Sequence, residues 1–343
     1  MCRGRSQDVV RDYRAFARRE ARGRSAAYEA LAESVADNAA VVDFVAALPP
    51  GKRQPQLLFA AARYLLGSPP DIGQLHDLVS RSSAGLEEVM LARRTQTNEP
   101  ARCAVLLPAL AQLPQPLALL DAGASAGLTL LIDRYSYDYA GHHLAGSDPD
   151  APTLRCQPSG PVPLPPRVPQ ITWRAGLDLS PLDVTDDDVR WLSCLVWPGE
   201  GDREQRLAAA IDTARRAPPA VYPGDLLTDL PTLAAQAPHD ATLVVYHCSV
   251  LYQLAPNQRA QFTETVRGLG ATWLSSEGPG VVPGTSRATS DGMLCVLARD
   301  GQALAVADSH GTWLHWLDPT ALGGTGRLGD RFMRAEGRRA GLG

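Results

Sequence analysis

The stretch LALLDAGASAGLTLLIDRY at residues 117–135 decides the fold of this chain. Its apolar first half predicts a buried strand that ends near Asp121, and its second half predicts an amphipathic helix from about Leu128. Between them lies a tight turn of small residues, GASAG at 123–127. As G-x-S-x-G, this turn would offer Ser125 as the nucleophile of a hydrolase. As acid-x-G-x-S-x-G, it would offer backbone N–H groups to a nucleotide-like ligand beside Asp121.

The composition predicts a globular cytoplasmic protein. The chain has 343 residues, of which 45% are hydrophobic, so it can bury a large core. Its six cysteines form no C-x-x-C pair and have no histidine at metal-ligand spacing, which is typical of reduced thiols and predicts no metal site. The first residues lack the apolar run of a signal peptide, and the most apolar region, 105–120, contains three prolines. We therefore expect no membrane association.

Basic residues gather at the two ends, although the formal net charge is −4. The first 24 residues hold eight arginines and three acidic residues, and residues 327–343 hold five arginines and two acidic residues. Such ends could contact nucleic acid or a membrane surface. We favour solvated surfaces and a flexible tail at 321–343, and expect no nucleic-acid partner.

The region before the turn is predicted to be entirely helical. From residue 7 to 113 the apolar residues fall at helical spacing, and no convincing strand appears. Breakers at 49–51, at 67–70 and at Gly85 divide this region into five or six helices. We interpret residues 1–113 as an all-helical cap.

After the turn, the pattern predicts strands that alternate with helices. The strands are predicted at 171–179, 220–224, 241–251 and 271–278, with helices such as 203–216 and 257–269 between them. This alternation predicts an α/β fold with a parallel, doubly wound sheet. The segment 292–308 differs, because two strands flank an Asp300-Gly301 turn and predict an antiparallel hairpin at the end of the sheet. We assign this sheet domain to residues 114–320.

Neither the hydrolase nor the dinucleotide interpretation fits the whole pattern. A hydrolase could take Ser125, a later aspartate and His310 in that order, but its serine would follow several strands, and here helices precede it. A dinucleotide site would have G-x-G-x-x-G with the acid about 20 residues downstream. The hydrolase stays open as an alternative.

The motifs instead resemble those of class I S-adenosylmethionine (SAM) methyltransferases, which have a Rossmann-like sheet. DAGASAG at 121–127 is similar to their first-strand turn, with Ser125 at the middle glycine position. By this resemblance, Asp121, Gly123, Ser125 and Gly127 bind the cofactor. Asp178 in RAGLDLSPLDV would accept the ribose hydroxyls. The resemblance also implies that Asp225, which follows the next strand, reads the adenine amino group.

The spacing departs from that family in one respect. Asp121 and Asp178 lie 57 residues apart, whereas such folds reach the second acid in roughly 20 residues. Either an insertion occupies about 140–170, or the second strand is PTLRCQ at 152–157 and the assignment of Asp178 is wrong. Asp178 and Asp225 could also simply cap the helices that follow them.

At larger scale the chain resembles a bacterial family catalogued as domain of unknown function 2332. Members of that family share motifs that occur here as RRTQTNE at 93–99, DRYSYDY at 133–139, GLDL at 176–179 and EGPG at 277–280. The resemblance covers nearly the whole chain. It implies a fold and no reaction.

The acceptor site is predicted where the strand ends face the cap. We predict His247 as a general base and Glu277, at a strand end, as a second catalytic residue. His247 could equally be a packed histidine. The predicted substrate-binding residues are polar groups of the cap and of the loop at the end of the fourth strand, namely Gln96, Asn98, Glu99, Arg102, Ser249 and Tyr252. For Asn98, the alternative is an N-cap of the helix that follows.

The leading functional hypothesis is a SAM-dependent methyltransferase that acts on a small molecule. The alternatives are an esterase that uses Ser125, a non-catalytic SAM-binding protein, and an enzyme that uses SAM for other chemistry. Whether the chain forms a homodimer stays open at this stage.

Overall fold

Helices and strands fill most of residues 2–285 and 294–318, the part of the chain that this computed structural model describes. Ten α-helices lie in these residues: α1 (Cys2–Phe16), α2 (Ala26–Ala36), α3 (Ala39–Ala47), α4 (Pro55–Leu66), α5 (Ile72–Ala92), α6 (Arg102–Leu110), α7 (Asp186–Cys194), α8 (Gly201–Arg216), α9 (Leu230–Ala234) and α10 (Pro256–Gly268). None of these helices is long and apolar enough to cross a membrane.

Twelve strands form two sheets in the same described residues. They are β1 (Leu117–Ala122), β2 (Ser136–Tyr139), β3 (His142–Leu144), β4 (Thr153–Arg155), β5 (Gln157–Ser159), β6 (Ile171–Asp178), β7 (Val221–Pro223), β8 (Thr242–Cys248), β9 (Thr272–Glu277), β10 (Leu294–Arg299), β11 (Gln302–Asp308) and β12 (Trp313–Trp316). The structure is therefore a mixed α/β fold, as the alternating pattern predicts.

The chain divides into two compact units. The first unit comprises residues up to Thr97 together with Val184–Leu207, and the second comprises Asn98–Asp183 and the described residues from Ala208 onward. The predicted boundary at 113/114 does not coincide with this division. The predicted tail at 321–343 lies outside the described residues.

The first unit consists of α1–α5, α7 and the beginning of α8. Its aromatic residues form a common core, in which the rings of Tyr28 and Phe59 lie 4.9 Å apart and those of Phe16 and Trp197 lie 5.2 Å apart. Residues 1–113 contain six α-helices, in agreement with the prediction of five or six. The break predicted at Gly85 lies three residues earlier, because α5 is kinked at Ser82, where the backbone is non-helical (φ −142°, ψ 32°), and Gly85 itself is helical. A glycine inside a helix costs only about 1 kcal/mol, and the buried Leu86 and Met90 continue the apolar face.

A nine-stranded sheet organises the second unit. Its strands lie in the order β5-β12-β11-β10-β9-β8-β1-β6-β7. The five strands from β7 to β9 run parallel, and β9 to β12 form an antiparallel meander. The predicted strands and the terminal hairpin are confirmed. On one face, apolar residues of α9 and α10 pack against the central strands, including Leu230, Phe262, Val266, Val245 and Trp273.

The helix predicted from Leu128 is wrong. The segment forms only a single 3-10 turn, Leu128–Leu131, before the chain enters β2. Side chains take the carbonyl groups that a continuing helix would need: Tyr135 donates to Leu128, Arg174 to Leu130, and Tyr137 to Ile132. The backbone is thus satisfied without a helix, although the apolar spacing is helical.

The long spacing between the two predicted acids is an insertion. Strands β2, β3 and β4 form a separate three-stranded sheet within residues 136–155. β6 pairs with β1 in parallel, with Asp121 opposite Gly176. The strand beside β1 therefore ends at Asp178. The alternative second strand, PTLRCQ, is wrong, because β4 pairs with β2 instead.

Candidate functional site

The glycine turn lies at the switch point of the sheet, where successive parallel strands stop being added on one side of β1 and start being added on the other. From β1 the chain continues to β6 and β7 on one side of the sheet, and then to β8 and β9 on the other. The turn follows β1 directly, and the loop Ser249–Leu251 follows β8 at the same edge. In open α/β sheets, ligands bind at the carboxyl ends of the strands at such a switch point. This edge is the candidate site.

Backbone conformation and close packing explain both glycines of the turn. Gly123 has a φ of +92° and Gly127 a φ of +70°, values that favour glycine. A Cβ on Gly123 would lie 2.5 Å from a methyl of Val250, in the loop after β8, and one on Gly127 would lie 2.8 Å from Pro219. Ser125 also has a positive φ, +53°, which is uncommon for a residue with a side chain. The turn is therefore fixed tightly against its own protein.

Asp178 and Asn98 brace the turn. Asp178 accepts the N–H of Ser125 at 2.8 Å on one carboxylate oxygen and the N–H of Ser180 at 2.8 Å on the other. The Asn98 amide donates to the carbonyl of Ala124 at 3.1 Å and accepts the N–H of Leu128 at 2.8 Å. Both side chains are buried. The turn is thus preorganised, and the ligand roles of these two residues stay predictions.

Asp121 is buried beneath the turn. Its carboxylate accepts a hydrogen bond from the Thr129 hydroxyl at 2.5 Å, and its side chain is nearly inaccessible to solvent. Burial raises the pKa of Asp121 to about 6, because a charged carboxylate loses its hydration there. The charge at the end of β1 therefore changes close to neutral pH.

His247 is a fully buried residue with both ring nitrogens bonded. Trp273 donates its indole N–H to Nε2 at 3.0 Å, and Nδ1 lies 2.7 Å from a Glu277 oxygen. An indole can only donate, so Nε2 accepts and Nδ1 carries the hydrogen of a neutral imidazole. Accepting a further proton would break the bond to Trp273. This geometry favours the packed-histidine alternative over a general base.

Glu277 joins the end of β9 to the loop after β8. Its Oε1 accepts the N–H groups of Val250 at 2.7 Å and Leu251 at 2.9 Å, in addition to the bond from His247. Burial alone would raise the pKa of Glu277, but the hydrogen bonds from His247, Val250 and Leu251 outweigh it and lower the pKa below its ordinary value. The carboxylate is therefore charged at neutral pH. Ser249, which begins the loop, has a φ of +59°.

The remaining predicted residues differ in their surroundings. Arg102 donates to the carbonyls of Ser309 at 3.1 Å and Cys248 at 3.3 Å. Glu99 is buried and accepts the N–H of Ala101 at 3.1 Å. The capping alternative for Asn98 is wrong, because α6 begins at Arg102 with Ala101 at its N-cap position.

The three remaining predicted site residues are not fully buried. Gln96 belongs to the first unit. Tyr252 is 53% exposed. Asp225 is half-buried and accepts the N–H of Leu227 at 2.8 Å, but it does not cap the next helix, because α9 begins at Leu230 with Asp229 at its N-cap position. Its ligand role stays a prediction.

Two contributors to the site were missed in the sequence. Trp273 lies four residues before Glu277 in a strand, and residues at even spacing share a face, so its position on the same face as Glu277 could have been inferred. Thr129 carried no signal, because its bond to Asp121 depends on the turn folding back. Within the described residues, no three His, Cys, Asp or Glu side chains gather as a metal site would require.

Fold and site together define an α/β protein with a large, mostly parallel sheet and a braced glycine turn at its switch point. The chain belongs to the family described as an uncharacterized protein conserved in bacteria (DUF2332), whose model matches residues 10–316. No match was found among curated proteins or among solved structures.

Proposed function

We propose that this protein is a SAM-dependent methyltransferase that acts on a small molecule. The observation that carries the proposal is the strand order β7-β6-β1-β8-β9, with the glycine turn directly after β1. Numbered along the chain, the parallel strands follow the order 3-2-1-4-5, which is the order of nucleotide-binding Rossmann sheets. In such sheets, the ligand lies over the turn after the first strand.

The acidic residues at the carboxyl edge of the parallel strands support a cationic ligand. Carboxylates follow three adjacent parallel strands: Asp121 in β1, Asp178 in β6 and Asp225 after β7. SAM carries a sulfonium and an ammonium group, which such carboxylates attract. Its ribose hydroxyls are donors that a carboxylate accepts. These residues therefore fit the cofactor that we propose.

The chain's own contribution would be binding and alignment. SAM supplies an electrophilic methyl group on sulfur. Asp178 and Asn98 keep the turn in one conformation, so that little entropy is lost when a ligand docks on it. Methyl transfer is an in-line displacement, and its rate depends mainly on how the two reactants are oriented. His247 would orient Glu277, since both of its nitrogens are bonded.

Calorimetric titration with SAM and S-adenosylhomocysteine tests the proposal. At a free ligand concentration of 100 times the dissociation constant, either ligand should raise the free energy of unfolding by about 2.7 kcal/mol. Asp225→Asn should weaken binding about tenfold, because the half-buried carboxylate is lost without removal of a turn brace. Asp240→Asn, which changes an exposed acid, is the matched control. If neither ligand binds the wild type, the proposal fails.

One observation favours a second candidate, the hydrolase. A nucleophile elbow holds its serine in a strained turn, and Ser125 has the positive φ of such a turn. Against it, the turn leads into a single 3-10 turn and not into an α-helix, and the central one of the five parallel strands, β1, is the first strand in the chain. Ester hydrolysis that disappears in Ser125→Ala, with SAM without effect, would support the hydrolase. Binding of SAM with no turnover of any acceptor would support a non-catalytic SAM-binding protein.

A further inference from the structure

The two oxygens of the Glu277 carboxylate differ in their hydrogen bonding. Oε1 accepts three hydrogen bonds, from His247 Nδ1 and from the N–H groups of Val250 and Leu251. Oε2 is buried from solvent and has no hydrogen-bond partner among the described residues. The whole side chain is only 1% exposed. One half of the carboxylate is thus fully bonded, and the other half accepts no hydrogen bond.

A buried carboxylate oxygen of this kind requires a donor. Oε1 receives all three bonds because the loop after β8 wraps around it, and Oε2 can only accept, since the carboxylate is ionised. A buried acceptor without a partner costs about 1–3 kcal/mol, and more when it is charged. Proteins therefore rarely keep one without a water or a ligand beside it.

The position of Oε2 favours a ligand. Glu277 ends β9 at the carboxyl edge, and its Oε1 holds Val250, whose side chain packs against Gly123 of the turn. The carboxylate thus lies one strand beyond the switch point, next to the proposed cofactor position. At the same edge, after β11, the hydroxyl of Ser309 is also buried without a partner among the described residues.

We infer that Glu277 Oε2 accepts a hydrogen bond from an N–H or ammonium group of the methyl acceptor, so that the acceptor is an amine. This inference rests on the proposed function. Charge-assisted bonds between N–H donors and carboxylates are short and about twice as strong as neutral ones. An alcohol or thiol acceptor would gain less from a buried, charged oxygen.

The chemistry of amine methylation uses such a carboxylate directly. The lone pair of a neutral amine forms the N–C bond while the S–C bond breaks and leaves its electron pair on sulfur. The amine keeps its proton, so the positive charge moves from sulfur to nitrogen. The charge on Glu277 stabilises this developing ammonium. An amine that binds in its ammonium form first releases one proton to water, because only the neutral amine has the lone pair that attacks.

Matched probes test the site without SAM. Ligand-observed NMR would compare benzylamine, which is protonated at neutral pH, with benzyl alcohol of nearly the same shape. We expect the amine to bind at least tenfold more tightly. Glu277→Gln keeps the shape of the side chain but removes the charge and should abolish this preference. Asp240→Asn, which changes an exposed acid outside the site, should retain it.

The outcomes separate this inference from the proposed function. If S-adenosylhomocysteine binds but the amine preference is absent or survives in Glu277→Gln, the inference is wrong and the function stands. If the preference depends on Glu277 but neither cofactor form binds, the amine site stands and the methyltransferase proposal fails. Should Glu277→Gln not fold, wild-type crystals soaked with benzylamine decide: a nitrogen bonded to Oε2 supports the inference, and an internal water only overturns it.

Discussion

Replacement of Asp121 by asparagine should remove the part of the pH dependence of stability that comes from this one carboxylate. The Asp121 carboxylate is buried beneath the glycine turn, and burial raises its pKa from 3.8 to about 6. Asparagine has nearly the same shape and still offers an oxygen to the Thr129 hydroxyl. The substitution therefore changes the charge and little else.

The sign and size follow from proton linkage. Between pH 3.8 and about 6, the folded protein keeps a proton on Asp121 that the unfolded chain has lost. The stability from this group is fully present below pH 3.8 and is lost as pH rises through about 6. At about 1.4 kcal/mol for each pH unit, the loss amounts to about 3 kcal/mol.

Urea unfolding from pH 4 to pH 7 measures this effect. The free energy of unfolding of Asp121→Asn, relative to that of the wild type, should rise by about 2.5 kcal/mol across this range, slightly less than the full effect because the unfolded carboxylate is already more than half ionised at pH 4. Subtraction of the wild-type curve removes the contribution of Glu277, which has the opposite sign because its pKa is lowered. Asp240→Asn, on the surface, should leave the curve unchanged. Parallel curves for wild type and Asp121→Asn would refute the reasoning.

Two further substitutions test the braced turn and the buried histidine. Gly123→Ala should destabilise the fold by about 2 kcal/mol in urea unfolding, because the φ of Gly123 is positive and the new Cβ would lie 2.5 Å from Val250. Gly85→Ala, in open space inside α5, should instead stabilise the fold by up to about 1 kcal/mol. Equal effects of the two substitutions would contradict the packing argument. For His247, ¹⁵N NMR should detect a neutral ring with its hydrogen on Nδ1, and Trp273→Phe should cost about 1–3 kcal/mol because Nε2 is then buried without a donor. A doubly protonated ring at pH 7 would contradict this assignment.

Local pattern was sufficient for most elements of the sheet. Each parallel strand is a short apolar run between breakers, and burial on both faces requires such a run wherever the strand lies in the sheet. The Asp300-Gly301 pair predicted the hairpin, because a two-residue turn of this kind needs positive φ angles, and both residues have them. The helix from Leu128 failed on the same kind of evidence. Its apolar spacing is helical, but side chains bind its carbonyl groups, and one of them, Arg174, is distant in sequence.

The candidate site was only half visible in the sequence. The glycine turn and the acids at strand ends could be found there, since chain-local conformation and strand termini define them. Their partners could not: Asp178 binds the N–H of Ser125, 53 residues away, only because β6 lies beside β1. The sequence also left two candidates for that strand.

The sequence by itself determined most of the helices and strands, the places where the chain turns, and the presence of acidic residues at the strand ends. These properties depend on periodicity and on backbone preferences within a few residues. The tertiary structure alone decided the order of the strands, and with it the bracing of the turn by Asn98 and Asp178 and the bonding of His247 between Trp273 and Glu277. Hydrogen bonds form over about 3 Å, so they are specified only once packing brings distant segments together.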